Sequence, residues 1–113
     1  MSTLVMRIAK PILASFMLVT FLANANAGEV VEVSIEKFLF VPQTVKVKPG
    51  TTVKWVNNEK RSNHTISFEK EGIPETDRLF PGESWQRTFE KPGSYPYICG
   101  THPEMTGVVE VAE

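Results

Sequence analysis

Near the C-terminus the sequence runs Tyr97-Ile98-Cys99-Gly100-Thr101-His102-Pro103-Glu104-Met105. Cys99, His102 and Met105 stand in a Cys-x-x-His-x-x-Met spacing, so one short loop offers a thiolate, an imidazole and a thioether. A second imidazole can come only from His64, far upstream on a different element that must fold back against this loop. Two imidazoles, a thiolate and a distant axial thioether are the donor set of a mononuclear blue (type 1) copper site. Thiolate and thioether suit Cu(I) and imidazole suits either oxidation state, so such a set passes single electrons with little rearrangement. Taken singly, a Cys or a Met is ordinary core filler. Taken together, with Pro103 stiffening the loop between two of them, these residues point to a metal.

The elements that position them follow a leader. Residues 1–27 combine Arg7 and Lys10 with no acid, an apolar run from Ile12 to Leu22, and Ala23-Asn24-Ala25-Asn26-Ala27. This is the pattern of a secretory signal peptide, with cleavage expected after Ala27 and Ala25 as the near alternative. The apolar run is well short of the roughly 20 residues that span a bilayer, so no stable membrane insertion is expected once the leader is removed. Residues 28–113 then form one small domain with one core. Arg7 and Lys10 leave with the leader while every acid stays, so ten basic residues face thirteen acidic ones. That balance argues against nucleic acid as a partner and for another protein. Export places the domain in the periplasm, an oxidising compartment. Cys99 is the single cysteine, which excludes a disulfide within the chain and favours metal ligation.

Val31, Val33 and Ile35 alternate with Glu32, Ser34 and Glu36, which predicts a strand over 29–37. Phe38 to Val41 continue as an apolar run that Pro42 interrupts, the mark of a bend or an edge. Further strands are predicted over 44–48, 52–57, 83–89, 95–99 and 106–111. Lys48-Pro49-Gly50-Thr51 predicts a hairpin turn. His64, Ile66 and Phe68 alternate with Thr65 and Ser67, so His64 is expected to open a strand and face inward. Asn63-His64-Thr65 also matches a glycosylation acceptor, which is set aside because a sugar there would crowd the metal. Residues 69–80 are charged and aperiodic, as in a solvated loop. Short, closely spaced strands without a helix predict an antiparallel all-β sandwich or barrel.

The run Val53-Lys54-Trp55-Val56-Asn57, then His64, Phe68, Phe89-Glu90-Lys91-Pro92-Gly93-Ser94-Tyr95 and Cys99 to Val111, resembles the cupredoxins, closest to their amicyanin/plastocyanin group. The short His102-Pro103-Glu104-Met105 spacing is similar to the amicyanin form, whereas plastocyanins and pseudoazurins place more residues between the second His and the Met. The resemblance implies a cupredoxin-like Greek-key β-sandwich of about seven to eight strands. It implies one type 1 copper held by His64, Cys99, His102 and Met105, with an exposed edge of His102 where electrons enter and leave. Cupredoxins commonly carry Asn directly after the first His, where it braces the ligand loop; here Thr65 stands there and Asn63 comes before. Glu104 also makes the loop less apolar than the amicyanin form, so the resemblance carries the chemistry and not the identity of a partner.

The reading that follows is a periplasmic, monomeric carrier of single electrons between redox partner proteins, not an enzyme. The alternative is a copper-binding or copper-delivery protein using the same residues. Delivery would call for an exchangeable site with extra Met or His, and beyond the leader only Met105 and the two histidines remain. A catalytic copper would need an open position and further ligands. Glu69 and Glu71 fall in the charged loop and read as surface charge. Lys60-Arg61 and the acids from Glu69 to Asp77 are candidates for steering a partner.

Overall fold

The computed structural model describes residues 28–113, and the expected signal segment, 1–27, lies outside them. β1 (Val30–Glu36), β2 (Leu39–Val41), β4 (Thr51–Asn57) and β5 (Ser84–Phe89) make one sheet in the order β2-β1-β4-β5. β3 (Thr44–Val47), β6 (Gly93–Ile98) and β7 (Thr106–Val111) make the second, in the order β3-β7-β6. The two sheets form the all-β sandwich expected of the sequence.

The period-2 pattern builds the core between them. Val33 and Ile35 of β1 and Val53 and Trp55 of β4 face Val45, Val47, Tyr97, Val109 and Val111 of the other sheet, all buried. Each fully buried aliphatic side chain among them stabilises the fold by about 1.5–3 kcal/mol. Trp55 anchors the middle, edge-on to Tyr97 at 5.3 Å and to Phe68 at 6.1 Å between ring centroids. Toward solvent the Arg87 guanidinium lies 4.5 Å from the centroids of both Phe68 and Phe89 and makes a two-pronged bond to Glu71 at 2.8 and 2.9 Å. The apolar stem and flat charged head of Arg87 thus cover aromatic surface that would otherwise be wet.

Three expectations change. The Pro49-Gly50 turn closes no hairpin: β3 and β4 belong to different sheets, and the turn carries the chain across the sandwich. Val45 and Val47 line the same core as Val53 and Trp55 from the opposite sheet, which two neighbouring strands of one sheet could not arrange. Nor is the sandwich wholly antiparallel, because β1 pairs β4 and β3 pairs β7 in parallel. Finally, 64–68 is not a strand. His64 bridges to Leu79 and Ser67 bridges to Ile98, so the segment stitches one side and then the other. Thr65 and Ser67, expected outside, are buried with His64, Ile66 and Phe68.

Phe38-Val41 divides as its Pro42 suggested: Leu39–Val41 becomes the edge strand β2, and Lys37 and Phe38 form the turn before it. Both turn residues are left-handed, with φ of 53° and 59°. A tight hairpin that follows the strand twist demands this backbone, and for residues other than glycine it costs of order 1–3 kcal/mol each.

Candidate metal centre

The sandwich delivers the four expected ligands to one end from two directions. Cys99 directly follows β6 and Met105 directly precedes β7, whose last pair before the loop is Ile98 with Thr106. Between them the chain is closed on itself: Cys99 N–H donates to Met105 O at 3.0 Å, His102 N–H to Cys99 O at 3.2 Å, and Met105 N–H to His102 O at 2.8 Å. His64 arrives from the opposite side, held by a reciprocal backbone pair with Leu79 at 2.8 and 3.1 Å. The ligand loop is therefore braced by its own backbone bonds.

Nδ1 of His64 lies 3.6 Å from Cys99 Sγ and Nδ1 of His102 lies 3.8 Å from it. Donors that share one ion at about 2.0–2.3 Å, spread toward 120°, stand about 3.5–4 Å apart, so the observed separations fit a common ion. Met105 is buried beside them, with 2% of its surface exposed, and His64 and Cys99 are fully buried. Two imidazoles, one thiolate and a buried thioether suit copper. His64, Cys99, His102 and Met105 thus form a type 1 copper-site arrangement, with His102 alone partly open to solvent.

Burial holds the His64 pKa below its ordinary value, and the neighbouring His102 pushes it the same way; the Glu59 carboxylate opposes both. The neutral imidazole is the form that binds metal. Glu59 Oε2 stands 3.4 Å from His64 Nε2, which favours the proton on Nε2 and leaves Nδ1 to face Cys99. The same carboxylate oxygen accepts the Phe38 N–H at 2.7 Å. Asn57, fully buried, shapes the loop that carries Glu59: its side-chain amide donates to Ser62 O and Leu79 O at 2.9 and 2.8 Å and its oxygen accepts Glu59 N–H at 2.9 Å.

Two polar groups reach the sulfur. Thr65 N–H points to Cys99 Sγ at 3.4 Å, and the Thr101 hydroxyl lies 3.2 Å from it. Hydrogen bonds at a ligating sulfur tune the reduction potential. Over the top, Phe38 stands edge-on to both imidazoles, with centroid separations of 5.3 Å to His64 and 4.9 Å to His102.

The sequence pointed to His64, Cys99, His102 and Met105, of which His64, Cys99 and His102 bring their donor atoms together in the fold, and it gave little sign of Asn57, Glu59 and Phe38 around them. Asn57 did carry a signal, a polar residue continuing the buried alternation of Val53 and Trp55. Phe38 carried none, because Lys-Phe is not a sequence that announces a left-handed turn. Glu69 and Glu71 form no acid pair, Glu71 being taken by Arg87. Lys60 and Arg61 are exposed.

Residues 27–112 match the family described as copper-binding proteins of the plastocyanin/azurin family. An amicyanin from Paracoccus versutus is 40% identical over 90 residues, covering 74% of this chain and 66% of its own length. Amicyanin-alpha from Methylorubrum extorquens is 36% identical over 92 residues, covering 78% of this chain and 76% of its own. The solved structure of the P. versutus amicyanin superposes with a TM-score of 0.67 at 34% identity over 75% of this chain and 83% of that one. A copper-containing nitrite reductase from Thermus scotoductus superposes with a TM-score of 0.68 at 33% identity, but 74% of this chain matches only 22% of that one.

Proposed function

The chain belongs to the plastocyanin/azurin family of copper-binding proteins, and from that premise we propose that it carries single electrons between redox partner proteins in the periplasm. His64, Cys99, His102 and Met105 are the ligands in this reading. The copper supplies the one-electron couple, and the residues supply the rest. The observation that carries the proposal is the convergence of three donor atoms, with the His64 and His102 nitrogens 3.6 and 3.8 Å from the Cys99 sulfur, two of the three residues lying on a loop closed by its own backbone bonds. A site positioned before the metal arrives changes oxidation state with little movement.

Partly exposed His102 is the port for the electron, and Cys99, continuous with β6, ties the site to the sandwich. The leader pattern of residues 1–27 supports the periplasmic location. Burial of His64, Cys99 and Met105 argues against the delivery alternative, since a donor of copper must expose its ligands to the acceptor. Repeated reduction by ascorbate and reoxidation by ferricyanide in the presence of a copper chelator tests the point. Electron carriage predicts full recovery of the oxidised spectrum at every cycle, and loss of copper within the first few cycles would contradict it.

A further inference from the structure

Thr65 is buried, with 2% of its surface exposed, and its N–H and its hydroxyl oxygen both meet the ligand loop. Its N–H points to Cys99 Sγ, and its Oγ1 accepts the N–H of Gly100, the residue after the thiolate, at 2.8 Å. A hydroxyl that accepts must place its own single proton elsewhere. Glu75 Oε2 receives it at 2.5 Å, a charge-assisted bond and therefore a strong one. The carboxylate thus decides which way the hydroxyl points.

Glu75 reaches this spot across Gly100. A Cβ on Gly100 would overlap both carboxylate oxygens and the carbon between them. The glycine beside Cys99 and the acid in the charged connection explain each other. The connection is itself laced to the Thr65 segment: Thr76 N–H donates to Ile66 O at 3.1 Å, and Ile66 N–H donates to Thr76 Oγ1 at 3.0 Å. Glu75 is therefore delivered by ordered backbone, even though much of the residue is solvent-exposed.

We propose that Glu75 is a positioning residue of the copper site: its carboxylate orients the Thr65 hydroxyl to receive the Gly100 N–H, locking the peptide after Cys99 to the segment that carries His64. The inference rests on the copper reading above. Its second consequence is electrostatic, since a negative charge beside the ligand loop favours the more positive oxidation state. The charge is partly solvated, so the effect on the Cu(II)/Cu(I) affinity ratio is roughly three- to tenfold; tenfold corresponds to about 59 mV in a one-electron couple.

The test uses the residue 28–113 domain and the variants Glu75→Gln, Glu75→Ala, Thr65→Val and Gly100→Ala. In the metal-free protein, amide exchange at Gly100 should speed by roughly five- to tenfold in Glu75→Ala and Thr65→Val, the loss of about one hydrogen bond. In the copper-loaded protein, Glu75→Gln should raise the potential. Gly100→Ala, which displaces the carboxylate, should shift it the same way by less, and the Glu75→Ala/Gly100→Ala pair should shift it no further than Glu75→Ala alone, because both act on one contact. Unchanged exchange at Gly100 and an unchanged potential in Glu75→Gln would overturn the proposal, as would additive shifts in the double variant. A wild-type protein lacking a thiolate-to-copper band would sink the copper reading and this inference with it, whereas a blue wild type with indifferent variants would sink this inference alone.

Discussion

Phe38 stands edge-on to His102, its ring 4.9 Å away between centroids and at 90° to the imidazole plane. The contact is bought with backbone strain, for Phe38 holds a φ of 59° and its N–H is tied to Glu59. A ring kept in this way over the more exposed ligand shields it from water. Phe38→Ala should remove about 0.5–1.5 kcal/mol of aromatic contact while leaving the core intact. Water reaching His102 should then favour Cu(II), so the potential should fall. Phe38→Gly should show the same fall with better stability than Phe38→Ala, because glycine accepts the left-handed turn. Voltammetry together with urea denaturation separates the two effects.

The His64 imidazole should resist protonation in the metal-free protein. Its folded pKa lies below the ordinary 6.5, chiefly through burial. The unfolded chain therefore binds a proton at a pH where the folded chain does not. The stability this provides is present above the unfolded value and is lost as pH falls through the folded value. An NMR titration of the metal-free domain should place the His64 midpoint below 6.5. Glu59→Gln should move it lower still, since the carboxylate is the influence that raises it.

Tyr97 behaves in the opposite sense. Burial pushes its phenol up to about 12, the Trp55 indole opposing only in part. The neutral phenol contributes stability that is complete below the unfolded value of about 10 and is lost as pH rises toward the folded one. Absorbance at the phenolate band should show one late-titrating tyrosine, absent in Tyr97→Phe, and urea midpoints should drop between those two pH values.

Gly107 packs flat against that phenol. A Cβ there would overlap the ring and hydroxyl of Tyr97, which is itself wedged against Trp55, Phe40 and Phe68. Gly107→Ala should cost about 1–3 kcal/mol by overpacking, read as a lower melting temperature with little change in the potential. Gly107→Ala combined with Tyr97→Leu should recover part of the loss.

The candidate site was legible because chemistry concentrates it: Cys99, His102 and Met105 announce themselves by spacing and His64 by being the one imidazole left, and the fold brings the donor atoms of His64, Cys99 and His102 together. The strands were legible where one face is buried, as in Val31-Val33-Ile35 and Val53-Trp55. What pairs with what was not. Whether Pro49-Gly50 turns a chain back or across depends on which side chains Val45 and Val47 meet, a tertiary matter that no local pattern records. The alternation of residues 64–68 misled for a related reason. Thr65 and Ser67 look solvent-facing by type, yet both are buried where two sheets and the ligand loop close around them. Glu75 was lost in a run of loop charge, since only the fold brings it to Gly100 and Thr65.

The most direct test of the central claim is the visible absorption and EPR spectrum of the residue 28–113 domain after one equivalent of Cu(II), with Cys99→Ala beside it. Ligation by the thiolate and two imidazoles predicts an intense thiolate-to-copper band that bleaches with a mild reductant, returns on reoxidation and is missing from Cys99→Ala. A colourless wild type, or a band that survives in Cys99→Ala, would contradict the assignment of this loop as the electron-carrying copper site.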